Sequence, residues 1–156
     1  MPFAPPLETN AMKTNNGFWD SSALVPLCVK QTTSQSFRQL WRESSRVTVW
    51  SGATVEIRSA LARLHRNNEI DAKGLQLAIK RLEAMRRQWR EIVTSEKLRL
   101  IAEDLPDTYS LRALDSFQLS AALVWCKEKP KGRLFVCDDV RLIEAAQKVG
   151  FSIKPQ

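Results

Sequence analysis

The chain has 156 residues, 44% hydrophobic and 26% charged, with 24 Lys and Arg against 17 Asp and Glu for a net charge of +7. At this length one compact domain is expected, burying about two-thirds of the surface its unfolded form exposes and needing neither disulfides nor a structural metal. Charges interrupt every apolar run before the roughly 18 residues of a membrane span, and MPFAPPLETNAMKTNNG lacks the features of a secretory signal, so a cytoplasmic protein without membrane association is expected.

Residues 1–17 hold three of the seven prolines and no sustained periodicity, which predicts a flexible leader, and 18–156 form the domain. Met12 is an alternative start within that leader. Phe18–Trp19 predicts a short strand ending at Asp20, followed by a helix capped by Ser22 and running through Cys28, with Pro26 in its first turn. A helix over Ser36–Glu43 precedes the β-branched strand Arg46–Trp50. Ser51 or Thr54 caps the next helix, whose Val55, Ile57, Leu61 and Leu64 face inward and which Asn67–Asn68 ends. Asp71 opens the longest helix, with Leu75, Ala78, Ile79, Leu82, Met85, Trp89, Ile92 and Val93 in one apolar stripe. A helix over Glu96–Leu105 is broken by Pro106, and Ser110 caps another running to about Lys127. Leu134–Cys137 reads as a buried strand, Asp138 or Asp139 opens a helix that Gly150 stops, and Phe151–Ile153 is a last strand. Strands alternating with helices predict an α/β fold, a three-layer α/β/α sandwich around a mostly parallel sheet.

Cys28, Cys126 and Cys137 are odd in number and widely spaced, each in an apolar stretch, and are expected as reduced core thiols. With one histidine, His65, a zinc site lacks ligands. From Arg58 to Arg99 there are 11 basic and 5 acidic residues, a net of +6, and the rest of the chain is nearly neutral. Such a segment suits a polyanionic partner or simply a solvated helical face.

In an open α/β sheet, ligands collect at the carboxyl ends of the strands. Carboxylates at four positions sort to that edge: Asp20 after the first strand, Glu56 early in the helix after Arg46–Trp50, Asp115 a turn into the helix after Ser110, and the pair Asp138–Asp139 after Leu134–Cys137. Each has an ordinary explanation alone, as a helix cap, a helix-dipole partner, or, for Asp115, a partner of Arg112. Together they would repel, which a hard divalent cation resolves through oxygen coordination.

The segments Phe18–Val25 (FWDSSALV), Thr54–Glu56 (TVE), Leu111–Leu123 (LRALDSFQLSAAL) and Phe135–Leu142 (FVCDDVRL) resemble the PIN-domain nucleases, most closely the VapC-type toxins of prokaryotic toxin–antitoxin pairs. The resemblance covers about Phe18–Ile153. It implies a metal-dependent endoribonuclease that leaves a 5′-phosphate and a 3′-hydroxyl, with Asp20, Asp115 and Asp139 holding Mg²⁺ or Mn²⁺ and Glu56 as a further ligand or as the base for the attacking water. It selects Asp139 over Asp138, and it places Ser22, Cys137 and Asp138 around the ligands. Cys137 stands where related sequences often carry a hydroxyl, and Gln118 where they often carry His; no catalytic role is expected for Gln118. Arg58, Lys80, Arg87, Arg90 and Arg112 are candidates for contact with RNA such as tRNA, Arg112 equally for pairing with Asp115. The resemblance further implies a homodimer and an antitoxin partner, with the exposed part of the stripe Leu75–Trp89 and Trp41 as an apolar surface if it is not core. An inactive PIN-like RNA- or protein-binding module, and a processing nuclease without an antitoxin, are the alternatives.

Overall fold

The computed structural model describes residues 16–155. Five parallel strands, β1 (Asn16–Trp19), β2 (Arg46–Trp50), β3 (Arg90–Ile92), β4 (Leu134–Val136) and β5 (Ser152–Lys154), form one sheet in the order β3-β2-β1-β4-β5. Seven helices flank it: α1 (Ser21–Cys28), α2 (Ser34–Glu43), α3 (Ala53–Arg66), α4 (Ala72–Arg86), α5 (Glu96–Tyr109), α6 (Ala113–Trp125) and α7 (Val140–Val149). The architecture is the expected α/β/α sandwich. The chain runs outward from β1 to β2 and β3, then crosses to β4 on the other side of β1. The strand order therefore reverses between β1 and β4, where a crevice opens beyond the carboxyl ends.

Residue alternation along the strands divides the core in two. Trp19, Val47, Val49, Leu134 and Val136 face α1–α4 with Leu24, Phe37, Ile57, Leu61 and Leu82. Phe18, Trp50, Phe135 and Ile153 face α5–α7 with Leu98, Leu119 and Leu142. The aromatic residues lock each layer: the Trp50 and Phe117 rings stack at 5.2 Å, and the Trp19 ring meets the Trp41 edge at 5.6 Å.

Several boundaries differ from the sequence reading. Of the leader expected over 1–17, only Asn16 and Gly17 are among the described residues, and they belong to β1 because they pair with Arg46 and Val47 of β2. Asp20, not Ser22, caps α1, accepting from the Ser22 N–H, and Pro26 lies in the second turn. On α3 the buried positions Ala53, Ile57 and Leu61 are four apart, which turns Val55 outward to 72% exposure. Its N-cap is Gly52 rather than Ser51 or Thr54.

The stripe from Leu75 to Val93 is not one helix. α4 stops at Arg86, a turn closes from the Gln88 N–H to the Met85 carbonyl at 2.8 Å, and Arg90–Ile92 becomes the edge strand β3. Helical spacing persists by accident through Trp89 and Ile92, which pack as turn and strand residues. α5 continues through Pro106 to Tyr109 because Leu105 and Tyr109 pack into the core beneath it. Ser110 then takes left-handed φ 54° as the C-cap of α5, and α6 starts at Ala113.

Candidate functional site

The turns after β1, β2 and β4 and the start of α6, which follows α5, each deliver one carboxylate to the carboxyl edge. Asp20 and Asp139 are the N-caps of α1 and α7, and Glu56 and Asp115 lie in the first turns of α3 and α6. All four line one cleft of about 590 Å³ at the β1–β4 crevice, together with Ser21, Ser22, Arg63, Arg112 and Leu114. Four helix amino ends thus point at one place, where their exposed N–H groups favour negative charge.

Asp20 is 3% exposed and the most enclosed of the four. Its carboxylate accepts from the Ser22 N–H at 3.2 Å, from the Ser22 hydroxyl, and from the Cys137 thiol at 3.4 Å. Burial raises its pKa, the Ser22 and Cys137 hydrogen bonds oppose the rise, and Asp139 adds to it. The Cys137 thiol therefore acts as a donor to Asp20. Burial and the Asp20 charge push the Cys137 pKa up, so it stays protonated. Ser22 closes the loop by accepting from the Asp138 N–H at 2.9 Å. Asp138 itself turns away to Thr33, whose hydroxyl donates to it at 3.5 Å, and it does not line the cleft.

Burial pushes the pKa of Glu56 up to about 7, with further upward pressure from Asp20 and Asp115 and a downward pull from hydrogen bonds of Gln118 and Ser21. The Gln118 Nε2 donates to Glu56 Oε1 at 2.7 Å. Asp115 accepts from the Arg112 N–H at 3.4 Å, and its pKa is raised by burial and then by Asp139. Asp139 Oδ1 accepts from the Leu142 N–H at 3.0 Å, and its own N–H donates to the Cys137 sulfur at 3.3 Å. None of the ion pairs among the described residues involves these carboxylates.

An all-carboxylate donor set matches the chemistry of a hard divalent cation. As the side chains stand, however, no three of the described His, Cys, Asp and Glu residues are close enough together to hold a metal ion. The donors are of the right kind and share one cleft without forming a metal-holding trio.

Among the basic residues that the sequence marks as RNA contacts, Arg112 reaches the cleft, whereas Arg58, Lys80, Arg87 and Arg90 are exposed and do not line it. Arg63, two turns beyond Glu56 on α3, lines the cleft although nothing in the sequence distinguishes it from its basic neighbours. Gln118, given no catalytic role by the sequence, contacts Glu56 directly. The three cysteines are free and buried, as expected. Ala78, Leu82 and Met85 of the α4 stripe are core, while Leu27, Trp41 and Met85 line a separate groove rimmed by Arg38, Arg42 and Arg81. No described helix is long and apolar enough to cross a membrane.

No model of a known protein family matches the chain, and no curated protein matches its sequence.

Proposed function

We propose that this protein is a divalent-cation-dependent endoribonuclease of the PIN-domain type, a cytoplasmic toxin of a toxin–antitoxin pair that works as a homodimer. The observation that carries the reading is the convergence of Asp20, Glu56, Asp115 and Asp139 on one cleft at the crevice between β1 and β4. Four carboxylates with no ion-pair partner among the described residues cost the fold stability, a cost that a function at the cleft would explain.

Asp20, Asp115 and Asp139 would hold Mg²⁺ or Mn²⁺, with Glu56 beside them. The bound cation supplies charge neutralisation at the phosphoryl oxygens and a more acidic water. Glu56, raised to about 7 by burial, is poised to take the proton of the attacking water near neutral pH. The water oxygen would bond to phosphorus as the bond to the 3′ oxygen breaks, and the 3′ oxygen would take up a proton from solvent while Glu56 returns its own to solvent, leaving a 5′-phosphate and a 3′-hydroxyl. Arg63 and Arg112 hold the phosphate from the cleft walls. Ser22 and Cys137 fix Asp20 through the hydrogen bonds they donate. The apolar groove of Leu27, Trp41 and Met85, with its arginine rim, supports a protein partner such as an antitoxin.

Cleavage of a structured RNA such as tRNA by purified protein tests the reading. Cleavage that requires Mg²⁺ or Mn²⁺ and disappears with EDTA or in Asp20→Asn is the expected result. No cleavage, or cleavage unchanged by both, overturns it. Expression alone should halt growth and co-expression with the neighbouring reading frame should restore it; unimpaired growth points instead to a processing nuclease.

A second reading, a PIN-like module that binds RNA or protein without cutting, is favoured by the absence of any ready metal-holding trio among the described residues. RNA binding without cleavage and without Mn²⁺-dependent stabilisation would select it.

A further inference from the structure

Gln118 is 1% exposed on an α6 face otherwise packed with Leu119, Ala121 and Ala122. A carboxylate only accepts hydrogen bonds, so the amide must turn its nitrogen toward Glu56 Oε1, at 2.7 Å. Its own oxygen is then left buried with no hydrogen-bond partner. A buried acceptor without a partner is destabilising, and an apolar side chain of the same shape would remove that cost. A residue that weakens its own helix packing to touch Glu56 is explained by that contact. The donor is also neutral: a lysine here would neutralise Glu56, and a second carboxylate would repel it. Asp115 lies one turn earlier on the same helix, so α6 brings one carboxylate into the cleft and fixes another that arrives from α3.

We infer that Gln118 is a positioning residue, which holds the Glu56 carboxylate in the cleft for the hydrolysis proposed above; the inference rests on that reading. Groups that orient a catalytic or ligating side chain cost about 10- to 100-fold in activity or metal affinity when removed.

The test compares wild type with Gln118→Met, which keeps the length and removes both amide atoms, and Gln118→His, which restores an N–H donor. Four quantities are read: kcat and KM on tRNA, the midpoint of Mn²⁺-dependent thermal stabilisation, and the melting temperature without metal. Gln118→Met is expected to lose about 10-fold or more in kcat with KM nearly unchanged. Its Mn²⁺ midpoint should rise about 10-fold while its metal-free melting temperature holds or rises. Gln118→His should recover part of the lost kcat. Should the methionine variant fold poorly, Gln118→Leu repeats the apolar arm. Wild-type kcat and Mn²⁺ midpoint in the apolar variant overturn the inference alone. So does a loss of kcat that follows a fall in melting temperature and is not rescued by His. A wild type that neither cleaves RNA nor gains stability from Mn²⁺ overturns the proposed function, and this inference with it.

Discussion

Glu56 sits where burial and two neighbouring carboxylates oppose its charge and only Gln118 and Ser21 support it. Its pKa rises from an ordinary 4.5 to about 7, so between those values the native state binds a proton that the unfolded chain does not. Stability then falls as the pH rises through that window, and the full cost is present above it. Glu56→Gln keeps an acceptor for the Gln118 amide and removes the titration. Measured in EDTA, the variant should melt above wild type at about pH 8, and the gap should close as the pH falls toward 4.5. A gap independent of pH would show that the titration of Glu56 does not set it. At this scale Asp20, Asp115 and Asp139 were legible in the sequence because each sits at a local strand-to-helix or helix-start signal. Gln118 was not, because its partner lies 62 residues away and no local pattern reports such a contact. Arg63 was equally hidden, since helical spacing from Glu56 gains meaning only once Glu56 is known to face the cleft.

Local grammar located most elements and failed where packing overrode it. Strand β2 matches the β-branched run Arg46–Trp50, and Asn67 ends α3, with Asn68 at φ 60° just beyond. The end of α4 was hidden because a three-residue edge strand carries too little pattern to interrupt a helical stripe. Pro106 removes one helical hydrogen bond, yet core burial of Leu105 keeps α5 intact past it. The start of α4 follows its local signal: Asp71 Oδ1 accepts from the Gly74 N–H at 2.7 Å. Asp71 is exposed and lines no part of the cleft. Asp71→Ala should therefore cost about 1 kcal/mol, seen in urea as a lower midpoint with unchanged slope. RNA cleavage under folding conditions should stay at the wild-type rate; a loss of cleavage without a loss of stability would tie this cap to the site.

The whole molecule carries its charge in two zones. Carboxylates occupy the cleft at the carboxyl edge of the sheet, and the excess of basic residues lies on α3, α4 and β3, which hold most of the segment Arg58–Arg99. Part of that segment is committed elsewhere: Arg81 donates to the Cys28 carbonyl at 3.0 Å, and Arg86 lies 4.0 Å from Glu91. Lys80, Arg87 and Arg90 are exposed, and Arg90 opens β3 in register with Thr48, which is itself paired with Phe18. That level lies short of Asp20, so under the proposed function Arg90 would meet RNA that extends beyond the cleft rather than the bond being cut. The sequence showed the charge excess, but only the fold separates the cleft arginines from these outer ones, and the two sets should fail differently. Replacing Lys80, Arg87 and Arg90 together by Gln lowers the net charge from +7 to +4. RNA affinity should fall, and the slope of log K against log salt should flatten by about 0.7 to 0.9 for each phosphate that is no longer neutralised. Cleavage at saturating RNA should remain at the wild-type rate. Arg63→Gln and Arg112→Gln should instead lower the rate at saturation, because they line the cleft proposed to receive the scissile phosphate. Filter binding across a salt series, paired with single-turnover cleavage, separates the two. An unchanged salt slope in the triple variant would reduce those residues to a solvated surface and leave the cleft arginines as the sole basic contacts of this set.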